Sequence, residues 1–198
     1  MKPQSALKAL KPLLKAPSFT SKEARALGVS AATLSHYVNV GALERLARGV
    51  YRHTSAPVVN DLRWEDLVNV TQTIKGGVVC LVSALAVYGV TEDIPREYWI
   101  AIGNDTSHKR TPLVRLVRMR DVTLGRTTFT IEGIKVPIFD LERTIVDSFR
   151  LLDKETAIKA LKMAMKRKGA EKLGLKKLED YAKKLKVNIA PYILSVTT

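Results

Sequence analysis

The most informative spacing pattern of this chain lies in residues 20–53. Ala24, Gly28 and Leu34 follow one another at intervals of four and six residues. A large side chain at the first position would hold two packed helices apart, and a Cβ at the second would resist a turn with positive φ. A polar group at the third would be buried without a partner. The pattern therefore predicts two helices joined by a tight turn.

The second helix of this motif is predicted to run from about Ala31 to Val40. Ser30 is a natural N-cap, and Gly41 suits the left-handed residue that often ends a helix. The apolar residues that recur at helical spacing on the inner face are Leu34, Tyr37 and Val38. The other face is therefore free for contacts outside the motif.

That outer face carries short or polar side chains, which fit a DNA major groove about 12 Å wide. The exposed residues are predicted to be Ala31, Ala32, Ser35, His36 and Asn39. We expect His36 and Asn39 to be the main base readers, with Ser35 beside them. The predicted DNA contacts of this helix are Ser30, Ala32, Ser35, His36 and Asn39.

A short hairpin with basic side chains is predicted directly after Gly41. Residues 43–46 alternate in polarity, residues 47–49 form a turn, and residues 50–52 return. A two-stranded wing of this kind places its arginines along phosphates or in a minor groove. The predicted contacts in the wing are Arg45, Arg48 and Arg52.

Positive charge is concentrated at the two ends of the chain, whose formal net charge is +14 over 198 residues. Residues 1–60 hold nine basic and two acidic side chains, and residues 154–198 hold twelve and four. The middle, residues 61–153, holds twelve and thirteen. A polyanionic partner is therefore expected at both ends.

The basic C-terminal helices form a predicted second surface for a polyanion or a protein partner. An equally good interpretation is a solvated helix face, since lysine runs are frequent on exposed helices. The residues of this surface are Lys162, Lys166, Arg167, Lys168, Lys176, Lys177 and Lys183.

The sequence predicts an α+β protein of two domains. The first, residues 1–56, is a winged helix-turn-helix domain that begins with a leucine-rich helix. The second, residues 61–198, is a mixed domain with a small sheet and basic C-terminal helices. Residues 54–60 are the predicted linker, because Pro57 disfavours helix before it. Residues 78–87 are predicted to be a single helix.

The remaining composition favours a cytoplasmic protein without cofactor or metal. The one cysteine, Cys80, lies in an apolar run and should be a buried hydrophobic residue. The three histidines are scattered, so a zinc site is not expected. No apolar run approaches the roughly 18 residues of a membrane span. We therefore expect no membrane association.

Catalysis has one candidate cluster, the carboxylates of Asp140, Glu142 and Asp147. Three carboxylates are a plausible metal set, so a DNA-targeted, metal-dependent enzyme stays open as an alternative. The favoured interpretation is structural: Asp140 caps a helix, while Glu142, Arg143 and Asp147 form ion pairs near its start. On that interpretation the protein has no catalytic residues and is not an enzyme.

Three segments together resemble the AbiEi antitoxins of bacterial and archaeal toxin-antitoxin and abortive-infection operons. They are LERLARGVY at the end of the wing, SALAVYGVTEDIP at residues 83–95 and VPIFDLERTIVD at residues 136–147. The closing APYIL, residues 190–194, is also similar to the end of that family. The resemblance covers most of the chain.

This resemblance implies a regulator of a toxin-antitoxin operon. It implies that the winged domain represses its own operon by binding inverted repeats in double-stranded promoter DNA. It implies that the C-terminal domain opposes a cognate nucleotidyltransferase-like toxin. The alternative within the same class is a stand-alone winged-helix transcriptional regulator without a toxin partner.

Overall fold

A computed structural model describes residues 3–56, 62–106, 108 and 113–197. The chain divides into two units, Met1–Lys75 with Thr130–Lys135, and Gly76–Phe129 with Val136–Thr198. The predicted linker falls largely on residues 57–60, outside the described residues. The α+β class and the N-terminal winged helix-turn-helix are both confirmed by these elements.

In the first unit, the described residues of the stretch 1–75 form four helices and a three-stranded sheet. Its elements are α1 (Pro3–Leu14), β1 (Phe19–Thr20), α2 (Ser21–Ala26), α3 (Ala31–Asn39), β2 (Leu43–Ala47), β3 (Val50–His53) and α4 (Leu62–Thr73). The strand order is β1-β3-β2, and both pairings are antiparallel. α2 and α3 are the two predicted helices of the motif, and β2 with β3 is the predicted wing.

The core of this unit explains the spacing seen in the sequence. Ala24 and Leu34 are fully buried. A larger side chain would not fit at position 24, and a polar side chain at position 34 would be cut off from water. Gly28 has a φ of +78°, and open space surrounds the position of a Cβ there. The backbone conformation, rather than crowding, therefore calls for glycine at this turn.

The second unit combines a mixed sheet with helices, and residues 130–135 of the last two strands of that sheet are counted in the first unit. Its strands are β4 (Val78–Val79), β5 (Tyr98–Gly103), β6 (Val114–Met119), β7 (Arg126–Ile131) and β8 (Ile134–Phe139), in the order β6-β5-β4-β8-β7. Its helices are α5 (Leu81–Val87), α6 (Leu141–Leu151), α7 (Lys154–Met165), α8 (Leu175–Lys184) and α9 (Ala190–Thr197), with a 3-10 turn at Gly169–Glu171. β4 pairs antiparallel with β5 and parallel with β8, and β5 pairs parallel with β6.

The prediction of one helix over residues 78–87 is wrong in its first part. Val78 and Val79 form β4 at the centre of the sheet, and Cys80 is an extended N-cap residue before α5. A short apolar run fits a buried strand as well as a helix, and here pairing with β5 and β8 decides the outcome.

Candidate nucleic-acid interface

The helix-turn-helix is fixed at the start of both helices by side-chain caps. The Thr20 hydroxyl accepts from the Glu23 N–H, and a Glu23 carboxylate oxygen accepts from the Thr20 N–H at 2.8 Å, forming a capping box. Ser30 Oγ accepts from the Thr33 N–H at 3.2 Å at the start of α3. These bonds satisfy backbone donors that would otherwise have no partner in the helix.

Partial burial acts to raise the pKa of the Glu23 carboxyl, but its hydrogen bonds outweigh that effect. Lys75 Nζ donates to Glu23 at 2.9 Å, and the N–H and hydroxyl of Thr20 donate as well. The pKa of Glu23 therefore lies below its ordinary value of 4.5. The ionised carboxylate is the form that the capping box holds.

The outward face of α3 has the composition predicted from the sequence. Leu34 and Tyr37 point inward and are buried. The residues exposed on the other side are Ala31, Ala32, Ser35, His36 and Asn39. Ser30 is also exposed, but its hydroxyl is occupied by the cap. The structure thus brings the predicted base readers together on one side of one helix.

The wing is tied to the first helix of the motif at its turn. Gly49 has a φ of +78°, and its carbonyl accepts from the Ser21 N–H at 2.8 Å. A Cβ at Gly49 would also lie 3.1 Å from Ser21 Oγ. Arg48 precedes this glycine and is exposed, as is Arg45 on β2. Both guanidiniums are therefore available to a polyanion.

Arg52 differs from the other two arginines of the wing, because its side chain is only 11% exposed. Its Nη2 lies 2.7 Å from Glu44 Oε2, and its Nη1 lies 3.4 Å from Glu65 Oε1 on α4. Its positive charge is thus compensated by two carboxylates within the first unit. Its role in the structure is to join β3 to β2 and α4.

Further basic residues, outside the set of DNA contacts predicted from the sequence, are exposed in the first unit. Lys22 and Arg25 lie on α2, and Lys8, Lys11 and Lys15 lie on or next to α1. The signal that would have found Lys22 and Arg25 is the helical spacing around Ala24, which turns both away from the core.

The carboxylates considered for catalysis are held by cationic and amide donors. Asp140 caps α6 through the Arg143 N–H at 2.8 Å, and its other oxygen accepts from Lys177 and Tyr181 at 3.0 Å. Glu142 pairs with Lys177 at 3.1 Å and accepts from the Gly174 N–H at 2.9 Å. The helix cap predicted at Asp140 is confirmed.

Asp147 forms ion pairs with two guanidiniums and does not share a site with Asp140 or Glu142. Its oxygens lie 2.7 Å from Arg143 Nε and 2.8 Å from Arg150 Nη1. Arg143 is itself 1% exposed, and it donates to the carbonyls of Leu124 and Asp121. Within the described residues no group of three or more His, Cys, Asp or Glu side chains is arranged to hold a metal ion.

The predicted basic surface of the second unit is only partly free. Arg167 donates to the Tyr88 carbonyl and pairs with Glu171, and Lys177 joins Asp140 to Glu142. The members that are exposed and have no partner among the described residues are Lys162, Lys166, Lys168, Lys176 and Lys183. Among the described residues, no helix is long and apolar enough to cross a membrane.

Comparison with known proteins bears on the first unit most directly. Residues 15–53 match the family model described as "Transcriptional regulator, AbiEi antitoxin". The matched segment contains α2, α3 and the wing, so the resemblance to this family is confirmed there. No curated protein matches the chain.

A solved structure extends the comparison to most of the chain. The crystal structure of RV2827C protein from Mycobacterium tuberculosis superposes with a TM-score of 0.51 at 12% sequence identity. The match covers 84% of this chain, which spans 66% of the length of that structure. At this identity the similarity concerns the fold.

Proposed function

We propose that this protein is a DNA-binding antitoxin that represses transcription of its own toxin-antitoxin operon. The observation that carries the proposal is the exposed face of α3 beside a wing with exposed arginines, within the segment that matches the AbiEi regulators. In this proposal α3 enters the major groove, with Ser35, His36 and Asn39 at base edges. Ala32 packs against the bases, and Ser30 contacts DNA only through the helix end that it caps.

Arg45 and Arg48 supply phosphate or minor-groove contacts in the proposed complex. They are exposed and have no partner within the described residues. We leave Arg52 out of this set, because Glu44 and Glu65 already hold its guanidinium. Lys22 and Arg25 on α2 are added, since exposed cations of the motif's first helix can contact the DNA backbone.

The proposed operator is double-stranded promoter DNA that contains inverted repeats, and the proposed second partner is a nucleotidyltransferase-like toxin encoded beside this protein. The second unit is assigned to opposing that toxin. Its exposed lysines, at positions 162, 166, 168, 176 and 183, fit either further DNA or a partner with an acidic surface.

The proposal includes no catalytic step. Support comes from Asp140, Glu142 and Asp147, whose oxygens are bound by lysine, arginine, tyrosine and backbone donors. A metal ion at these carboxylates would have to displace Arg143 and Lys177. Loss of a metal-dependent activity on DNA in a folded Asp147→Asn variant would contradict this assignment.

A reporter gene behind the protein's own upstream DNA tests the regulatory part. We expect expression of the full chain to lower reporter output, and we expect Arg48→Ala to restore it. Glu179→Gln, an exposed change on α8, serves as the control and should repress normally. Equal reporter output with and without the protein would contradict autorepression.

Co-expression with the neighbouring gene tests the antitoxin part separately. If that gene inhibits growth, we expect the full chain to restore growth. Restoration that persists in Arg48→Ala, a variant defective in repression, would assign the antitoxin effect to the second unit. A neighbouring gene without effect on growth would favour the stand-alone regulator.

A further inference from the structure

We propose that the half-site read by α3 is rich in A·T pairs and that Asn39 selects an adenine in it through the major groove. This inference rests on the proposed function, since it concerns the sequence that the same helix recognises. It follows from the side chains on the exposed face of α3, which we call the outward arc, and from the absence of arginine and lysine in that helix.

Asn39 lies near the centre of that arc. At about 100° per residue, and with Ala31 as the origin, Ser35, Asn39, Ala32 and His36 lie at about 40°, 80°, 100° and 140°. All five residues are exposed, whereas Leu34 is fully buried on the opposite side. Asn39 therefore has Ser35 on one side and Ala32 on the other.

The chemistry of the arc favours adenine and thymine. Asparagine makes two hydrogen bonds to N6 and N7 of adenine, and small apolar side chains contact the methyl group of thymine. Ala31 and Ala32 are apolar, and Val40, directly after α3, is 59% exposed. The base edges that these groups complement best are those of A·T pairs.

Side chains that would select guanine are absent from this helix. Arginine or lysine paired with O6 and N7 of guanine is the commonest specific contact in the major groove. The sequence of α3, AATLSHYVN, contains neither residue. Besides Asn39, the donors on this face are the hydroxyl of Ser35 and the imidazole of His36, and each can serve several base acceptors.

The wing adds a second preference in the same direction. Arg48 is exposed at the turn between β2 and β3. A·T tracts have a narrow minor groove of enhanced negative potential, which attracts an inserted arginine. If the wing reaches that groove, Arg48 favours A·T next to the major-groove site. The two preferences act through different grooves and can be separated by experiment.

Selection from a randomised DNA library with the full chain at physiological salt is the first step. We expect the enriched duplexes to share an A·T-rich half-site. In the best site, the A·T pairs are then replaced one at a time by inosine·cytosine. This pair presents the same groups as G·C in the major groove. It lacks the 2-amino group of guanine, so its minor groove resembles that of A·T. At the pair read by Asn39 this replacement should weaken binding about tenfold, as G·C does.

Asn39→Ala connects the effect to the side chain. In this variant we expect that pair to tolerate inosine·cytosine, while the other pairs keep their preferences. The matched control is Asn188→Ala, at an exposed asparagine of the second unit, which should behave like the unchanged protein. Arg48→Ala should lower affinity for every duplex and keep the major-groove preference.

Each contrary result has a distinct meaning. A G·C-rich consensus, or an inosine·cytosine pair bound as well as A·T at every position, overturns the inference and leaves sequence-specific DNA binding intact. The absence of any enriched sequence overturns the proposed function and the inference together.

Discussion

At the scale of single residues, two arginines four positions apart in the wing have opposite surroundings. Arg48 is exposed without a partner in the described part of the chain, whereas Arg52 is held by Glu44 and Glu65. Their sequence context alone made them equivalent. The carboxylate Glu65 that distinguishes them lies on α4, thirteen residues further along the chain.

Alanine substitution should separate these roles. Arg48→Ala should leave the free energy of unfolding unchanged and reduce the magnitude of the salt slope of DNA binding by about 0.9, the effect of one lost phosphate contact. Arg52→Ala should lower the free energy of unfolding by about 1 to 3 kcal/mol, because two carboxylates lose a charged donor. Urea titration and salt-dependent binding measure the two effects. A smaller salt slope in Arg52→Ala, together with an unchanged slope in Arg48→Ala, would show that Arg52 and not Arg48 contacts DNA.

Arg143 is the residue whose loss should damage the second unit most. It is buried against Asp147, two loop carbonyls and the ring of Phe139, with Cζ 4.4 Å from the ring centre. Arg143→Met should lower the free energy of unfolding by about 3 to 5 kcal/mol, since a buried carboxylate loses its closest partner. Arg150→Ala, at the more exposed partner of Asp147, should cost about 1 kcal/mol or less. Equal losses in the two variants would refute a central role for Arg143.

At the scale of elements, the capping box of α2 makes the first unit sensitive to acid. The pKa of Glu23 is lowered in the folded protein, so its contribution to stability is present above its ordinary value of 4.5 and is lost as the pH falls through the lower value. Glu23→Gln removes this dependence. We therefore expect the stability difference between the unchanged protein and Glu23→Gln to shrink from about pH 7 to about pH 3.

Urea unfolding at several pH values measures that difference. The control is Glu97→Gln, at an exposed carboxylate without a partner in the part of the chain that the structure describes. Its stability difference from the unchanged protein, measured at the same pH values, is the baseline for neutralising an exposed carboxylate. A difference for Glu23→Gln that grows toward low pH would contradict the capping role of the carboxylate.

The elements that could be predicted from sequence are those whose residues have local physical demands. Ser30 as a cap, Gly28 at a positive φ and Leu34 in the core identify α3 and the turn before it. β4 was missed because Val78 and Val79 become a strand only through pairing with β5 and β8, which are distant in sequence. The ion pairs of Arg52 and Lys177 could not be predicted for the same reason, because their carboxylate partners are distant in sequence.

At the scale of the whole molecule, the distribution of charge raises the question of how much of the chain contacts DNA. The second unit has exposed lysines, among them Lys166, Lys168 and Lys172, which line one depression at the end of α7. Salt dependence counts the phosphates that a protein neutralises. It can therefore distinguish a DNA surface from a solvated face or a protein-binding face.

Replacing these three lysines together with glutamine tests their part in DNA binding. If the second unit binds the toxin and not DNA, the slope of log affinity against log salt should stay the same in this variant. Affinity titrations at four or more salt concentrations, with Arg48→Ala as the positive control, measure it. A decrease in slope magnitude by about 2 to 3 would instead place this surface on the DNA.

Sequence-specific repression requires that the full chain bind its own upstream DNA more tightly than a shuffled duplex of equal composition, and affinity measurements on the two duplexes at physiological salt decide this. We expect the protein to bind the upstream DNA about a thousandfold more tightly or better, as specific DNA-binding proteins in general do. Equal affinity for the two duplexes would contradict it, because a basic protein that only senses phosphates binds both alike.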